Sequence, residues 1–102
     1  MELKHLSEEI EAISKGYAEK YAIERDATWF LLKLQEEVGE LIQSYLMLAG
    51  KARKKGKTPE ELQAAFEEEV ADVFCQTLLL ARLHHIDIEE VVKKKWLYWK
   101  NA

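Results

Sequence analysis

Two acidic motifs in the sequence have the residue types and the spacing to bind a metal ion. The first is Glu36-Glu37-Val-Gly-Glu40 and the second is Glu69-Val-Ala-Asp72. In each motif two carboxylates are three residues apart, so on an α-helix they project from one face about one turn apart. Four acids at this matched spacing indicate that they bind one cation together.

The second motif gives the stronger indication. With each residue turned by about 100° along a helix, Asp72 points between Leu79 and Leu83, and Glu69 points between Leu80 and Gln76. Both carboxylates are therefore expected in an apolar band. An ionised carboxylate removed from water must find a partner, become neutral or bind a metal. Aspartate also favours helices poorly, so Asp72 in mid-helix has no evident structural benefit.

The donor atoms of these motifs favour one class of metal. Carboxylate oxygens without a nearby histidine or cysteine favour Mg²⁺, or Mn²⁺ in its place, over zinc. Mg²⁺ held by carboxylates commonly completes its shell with water and substrate phosphate, which implies a phosphorylated substrate. Each motif alone is a weak signal, because solvated acidic helix faces are common. The alternative that the acids only solvate their helices stays open.

Four helices are predicted to position these motifs. Apolar residues at steps of three and four predict a first helix from Leu3 to Tyr21. A second helix follows a cap at Asp26 or Thr28 and runs to about Gly50. It carries the first motif.

The second half of the chain has two further helix start signals. Thr58-Pro-Glu-Glu61 predicts a capping box at the start of a third helix that runs to about His84 and carries the second motif. Asp87-Ile-Glu-Glu90 predicts another box and a C-terminal helix that continues through Trp99. No strand pattern competes, so the predicted fold class is all-α.

Composition excludes several classes of protein. At 102 residues, with 48% hydrophobic and 33% charged residues, we expect a single folded domain over residues 1–102. A formal net charge of −4 argues against a partner that is a nucleic-acid polymer. The single cysteine, Cys75, fits a reducing compartment, so the cytoplasm is expected. We expect no membrane association, since neither an apolar signal core nor a membrane-spanning run is found.

The predicted third helix is apolar almost all the way round. Its apolar residues are Val70, Val73, Phe74, Leu78, Leu79, Leu80 and Leu83. Such a helix must be covered on every side, and three short helices are too few for that. We therefore expect a homodimer or a homotetramer built as a helical bundle.

Three segments of the sequence together resemble a known family. They are Arg25-Asp-Ala-Thr-Trp-Phe-Leu-Leu-Lys-Leu-Gln-Glu-Glu-Val-Gly-Glu40-Leu, Glu68-Glu-Val-Ala-Asp72-Val and Ala81-Arg-Leu-His-His-Ile-Asp87-Ile-Glu-Glu. Over residues 17 to 95 the chain is similar to the MazG-like all-α nucleoside triphosphate pyrophosphohydrolases, whose signature is EExxE followed by ExxD. The resemblance implies a four-helix fold, an oligomer, and Mg²⁺-dependent hydrolysis of a nucleoside triphosphate substrate to the monophosphate and pyrophosphate.

The resemblance also implies roles for individual residues. The implied metal ligands are Glu37, Glu40, Glu69 and Asp72. Glu36 would orient or deprotonate the attacking water, although its helical direction equally suits solvent exposure. Lys95 matches a lysine that follows the GIDxEE-like segment in the family and is the first candidate to contact substrate phosphate, and Lys33, one turn before Glu37, is the second. The basic connector of residues 51–57 is a candidate lid over the triphosphate, or a soluble loop.

The sequence departs from the family pattern near its C-terminal end. Trp99 stands where the family often has asparagine or arginine, and His85 stands where it often has glycine. Two other functions remain open alternatives. One is a related phosphoribosyl-ATP pyrophosphohydrolase, and the other is a non-catalytic helical oligomerisation module without metal dependence.

Overall fold

A computed structural model describes residues 1–101, and their secondary structure is entirely helical. The helices are α1 (Leu3–Lys20), α2 (Ala27–Leu48), α3 (Pro59–Leu83) and α4 (Ile88–Lys95), and a 3₁₀ helix follows at Leu97–Asn101. No strand occurs in the described residues. The predicted all-α fold with four helices is confirmed.

The predicted caps at the starts of α2 and α3 are present. The Asp26 side chain accepts a hydrogen bond from the Trp29 backbone N–H at 2.8 Å. At α3 the Thr58 hydroxyl accepts from the Glu61 N–H at 3.1 Å, while the Glu61 carboxylate accepts from the Thr58 N–H at 2.9 Å. This reciprocal pair satisfies two donors that a helix start leaves without partners.

The C-terminal helix is shorter than the sequence predicts. Asp87 caps α4 by accepting from the Glu90 N–H at 3.2 Å, but the Glu90 carboxylate contacts the Lys93 ammonium at 3.5 Å and does not complete a box. The helix ends at Lys95, and the chain then tightens into the 3₁₀ turn that contains Trp99. Trp99 is 68% exposed. Without burial of such side chains, nothing offsets the weak helix preference of aromatic residues.

The first three helices end in the same backbone motif. The residue after each C-cap adopts a left-handed conformation, with φ of 52° at Ala22, 74° at Gly50 and 55° at His85. At the end of α3, the Ile86 N–H returns to the Ala81 carbonyl at 2.9 Å, which is a Schellman motif. Only glycine adopts this conformation without steric cost, so the chain is strained at Ala22 and His85.

The core lies between α2 and α3, and α1 packs on α3. The buried hydrophobic residues are Ala18, Phe30, Met47, Leu62, Leu78, Leu79 and Ala81. Arg25 fixes the segment between α1 and α2, because its guanidinium donates two hydrogen bonds to the Glu11 carboxylate at 2.8 and 2.9 Å. Met47 and Leu62 line one cavity together with Glu40 and Glu69, so α2 and α3 run antiparallel.

Large apolar side chains remain uncovered on both helices of the central pair. Val70 and Phe74 on α3 are 46% and 47% exposed, and Leu32 on α2 is 61% exposed. These positions include part of the all-round apolar surface of α3 that the sequence analysis identified. Among the described residues, no helix combines the length and apolar character needed to cross a membrane.

Candidate metal centre

Three carboxylates from two helices meet where α2 and α3 pack together. Glu37 and Glu40, one turn apart on α2, face Glu69 on α3, and one oxygen from each lies within 4.8 Å of the others. We call these three residues the carboxylate cluster. The antiparallel packing of the two helices places the cluster, since spacing within one helix aligns only Glu37 with Glu40.

Two oxygens of the cluster are cut off from water without a partner. Glu37 Oε2 and Glu69 Oε2 are buried and have no hydrogen-bond partner. Most buried polar atoms in proteins are hydrogen-bonded, and a buried acceptor without a donor is costly. Oxygen ligands of this kind suit a hard divalent cation, which would supply the missing positive partner. The residues therefore fit the group that the sequence motifs imply.

The cluster is electrostatically unfavourable without a cation. Burial, and after it the charge of Glu40, raises the pKa of Glu37 to about 7. Burial, and after it the charges of Glu40 and Asp72, raises the pKa of Glu69 above its ordinary value. In both residues the ionised form is disfavoured by desolvation and by like charges. A positive charge at the cluster would reverse both effects.

Asp72 lies near the cluster but outside the group of three. Its side chain is exposed, and its oxygens are not among those within 4.8 Å. Its charge nevertheless raises the pKa values of Glu37 and Glu69, so it acts on the same site. Asp72 is therefore placed to contribute a fourth carboxylate at the edge of the centre.

Glu36 and Lys33 form an ion pair beside the cluster. The Lys33 ammonium donates to Glu36 Oε2 at 3.2 Å, and Glu36 is exposed while Lys33 is half-buried. The same ammonium lies 6.0 Å from the centre of the Trp29 ring. Glu36 is not part of the three-carboxylate group. The pair places one carboxylate and one positive charge a single turn from Glu37.

Lys95 lies at the last position of α4. Its side chain is exposed and has no ion-pair partner in residues 1–101. Lys95 is thus not among the residues that line the cavity beside the cluster, which opens at Glu40 and Glu69.

Two further residues stand beside the centre, one that the sequence analysis did not single out and one from the basic connector that it did. Gln43, one turn after Glu40, and Lys57, at the end of the connector, line a cavity that also contacts Glu40 and Glu69. The helical spacing of Gln43 from Glu40 could have identified it. Lys57 belongs to the basic connector of residues 51–57, but its position beside Glu40 and Glu69 depends on the path of the loop, which the sequence pattern does not give.

The chain was then compared with known proteins. The model of a family described as MazG nucleotide pyrophosphohydrolase domain matches residues 31–96, which is more than half of the chain and includes all five acids of the two motifs. Searches of curated proteins and of solved structures found no match.

Proposed function

Because the chain belongs to the MazG nucleotide pyrophosphohydrolase family, we propose that it hydrolyses nucleoside triphosphates to the monophosphate and pyrophosphate in the presence of Mg²⁺. The observation that carries this proposal is the carboxylate cluster, in which two buried oxygens lack any hydrogen-bond partner. By this hydrolysis the protein would remove such nucleotides from the nucleotide pool, and we propose that this is its role.

The carboxylates would hold the cation and position the substrate. Glu37, Glu40 and Glu69 supply oxygens from two helices, and Asp72 supplies a further carboxylate at the edge. A divalent cation held there would neutralise phosphate oxygens and lower the pKa of a water molecule bound to it. Mn²⁺ would substitute, since it also accepts oxygen ligands. The fixed packing of α2 against α3 keeps the ligands in place before substrate arrives.

The charged pair beside the cluster has a role in the same reaction. We assign Glu36 to orienting or deprotonating the attacking water, because its carboxylate lies one residue before Glu37. Lys33 would release Glu36 and contact a phosphate oxygen, and Lys95 would provide a second positive charge. Phosphate is recognised well by such charge-assisted hydrogen bonds.

We also propose that the working form is a homodimer or homotetramer in the cytoplasm. Val70 and Phe74 on α3 are about half exposed, and burial against a second copy would remove them from water. Cys75 is a free thiol, which suits a reducing compartment.

Pyrophosphate release tests the proposal. The protein is incubated with a panel of ribonucleoside and deoxyribonucleoside triphosphates and with phosphoribosyl-ATP, each with Mg²⁺ and with a chelator. We expect release from at least one nucleoside triphosphate that depends on the metal. Activity confined to phosphoribosyl-ATP would indicate the related enzyme of histidine biosynthesis. Absence of release with every substrate would indicate the non-catalytic oligomerisation module.

A further inference from the structure

A cavity of about 200 Å³ opens from the carboxylate cluster towards the connector. Glu40 and Glu69 form the wall that it shares with the cluster. Its other lining residues are Gln43, Ser44, Met47, Lys57, Leu62 and Ala65. On α2 they follow Glu40 and on α3 they precede Glu69, so the cavity extends from the cluster in one direction. A ligand held at the carboxylates would extend one of its ends into it.

The floor of the cavity suits an uncharged ring. Met47 is 8% exposed and Leu62 is 3% exposed, and both belong to the core, while Ala65 between them is small. A phosphate group against these three side chains would lose water without gaining donors from them, which is costly; the donors of the cavity belong to Gln43 and Lys57. A nucleobase would instead bury apolar surface there. The volume is below the roughly 300 Å³ at which pockets take whole drug-sized ligands, so it suits one part of a nucleotide.

Gln43 has the hydrogen-bonding groups needed to recognise such a ring. The Ser44 hydroxyl already donates to the Leu41 carbonyl at 2.9 Å. The Gln43 amide has no partner within residues 1–101, although it lines the same cavity. It presents both donors and an acceptor, which is the combination that pairs with the edge of a base. Lys57 offers donors only.

The opposite end of the cluster differs in chemistry. There Lys33 and Glu36 form the ion pair at 3.2 Å, one turn before Glu37. The Lys33 ammonium at this end suits phosphates, whereas Met47, Leu62 and Ala65 at the other end offer them no donor. The substrate would therefore lie along the groove between α2 and α3 in a single orientation.

We propose that this cavity binds the nucleoside end of the substrate and that Gln43 is the side chain that selects between bases. The inference rests on the proposed function. The triphosphate then extends from the cluster towards Lys33, so that the leaving pyrophosphate lies at the end away from the connector. Selection arises because a base that leaves the Gln43 amide without a partner binds less well.

Two variants and one matched control test this assignment. Gln43→Leu removes the amide, and Ala65→Leu fills the cavity, while Gln35→Leu alters an exposed glutamine on the same helix that does not line it. Binding of the nucleoside monophosphates and of inorganic phosphate is measured by calorimetry with Mg²⁺ present. Circular dichroism checks that each variant is folded.

We expect Gln43→Leu to reduce the ratio of affinities between the best and the worst base by about tenfold. Ala65→Leu should weaken all monophosphates about tenfold or more, because added methyl groups occupy the space of the ring. Binding of inorganic phosphate and the behaviour of Gln35→Leu should stay unchanged.

Two results would overturn the assignment. One is that Gln43→Leu keeps the wild-type ranking of bases while Ala65→Leu keeps the wild-type affinities. The other is that the wild type binds monophosphates no more tightly than inorganic phosphate. Hydrolysis is assayed on the same samples. If the wild type is active and the variants bind as it does, only the assignment of the cavity is refuted. If the wild type is inactive, the proposed function is refuted, and the monophosphate titration still tests the assignment of the cavity.

Discussion

Glu37 on α2 and Glu69 on α3 each keep one carboxylate oxygen out of water without a hydrogen-bond partner, and with Glu40 they place oxygens within 4.8 Å of one another. Two negatively charged groups held in this way destabilise the fold unless a cation joins them. Under the proposed function, binding of a metal ion would offset this loss of stability.

The pH dependence of stability should reveal this repulsion. The pKa of Glu37 is about 7 in the folded protein, against an ordinary value of 4.5. The folded state therefore holds a proton that the unfolded chain releases at lower pH, so the free energy of unfolding falls as pH rises from about 4.5 to about 7. We expect this decline in metal-free buffer and its suppression by Mg²⁺, measured by urea unfolding across that range.

Two substitutions refine that measurement. Glu37→Gln should flatten the decline and make the metal-free protein more stable than the wild type above pH 7, because it removes the charge that is disfavoured. Glu36→Gln is the matched control, since Glu36 is exposed and paired with Lys33. An equal effect of both substitutions would show that the decline does not arise from the cluster.

The role of Glu36 is separable from that of its partner. If the Glu36 carboxylate orients or deprotonates the attacking water, Glu36→Gln should lower kcat by roughly 100-fold and leave metal affinity unchanged. Lys33→Met breaks the same ion pair but keeps the carboxylate, so it should raise KM more than it lowers kcat. Steady-state kinetics of both variants provide the comparison. Equal loss of kcat in the two would assign the effect to the ion pair.

The strained end of α3 predicts a stabilising substitution. His85 has φ of 55°, and glycine adopts this conformation at no steric cost. We expect His85→Gly to raise the free energy of unfolding by about 1 kcal/mol. Gly50→Ala at the end of α2 should lower it by a similar amount, since a Cβ there meets no atom within 4 Å and only the backbone conformation matters. Chemical denaturation measures both, and a less stable His85→Gly or a more stable Gly50→Ala would contradict the explanation.

Exposure of the central helices predicts self-association. Phe74→Glu should shift the protein towards the monomer in sedimentation velocity, because a charge would enter the interface that we propose. Ile13→Glu, at a 73% exposed position on α1, serves as the control. A monomeric wild type would contradict self-association, and equal dissociation by both variants would place the interface elsewhere.

The sequence predicted the elements of this fold better than their arrangement. Capping residues such as Asp26 and Thr58 act on their own helix, so their positions could be read from the chain directly. The predicted end of α4 was wrong, because whether the helix continues through Trp99 depends on burial of this side chain by other parts of the structure. Local pattern does not contain that information.

The candidate site could also be predicted only in part from the sequence. Spacing aligns Glu37 with Glu40 within α2, but the register of α2 against α3 decides that Glu69 meets them and that Asp72 stays exposed. That register follows from packing of core residues such as Met47 and Leu62. The cavity beside Gln43 and Lys57 likewise depends on two helices and a connector, so no single segment predicts it.

Binding of Mn²⁺ monitored by electron paramagnetic resonance tests the central claim most directly. The wild type should bind the ion, and Glu69→Gln should weaken the affinity about tenfold or more because it removes a charged ligand. Glu68→Gln, at the exposed neighbouring position, should bind as the wild type does. Wild-type affinity in Glu69→Gln would contradict the account, since the cluster would then not be where the metal is held.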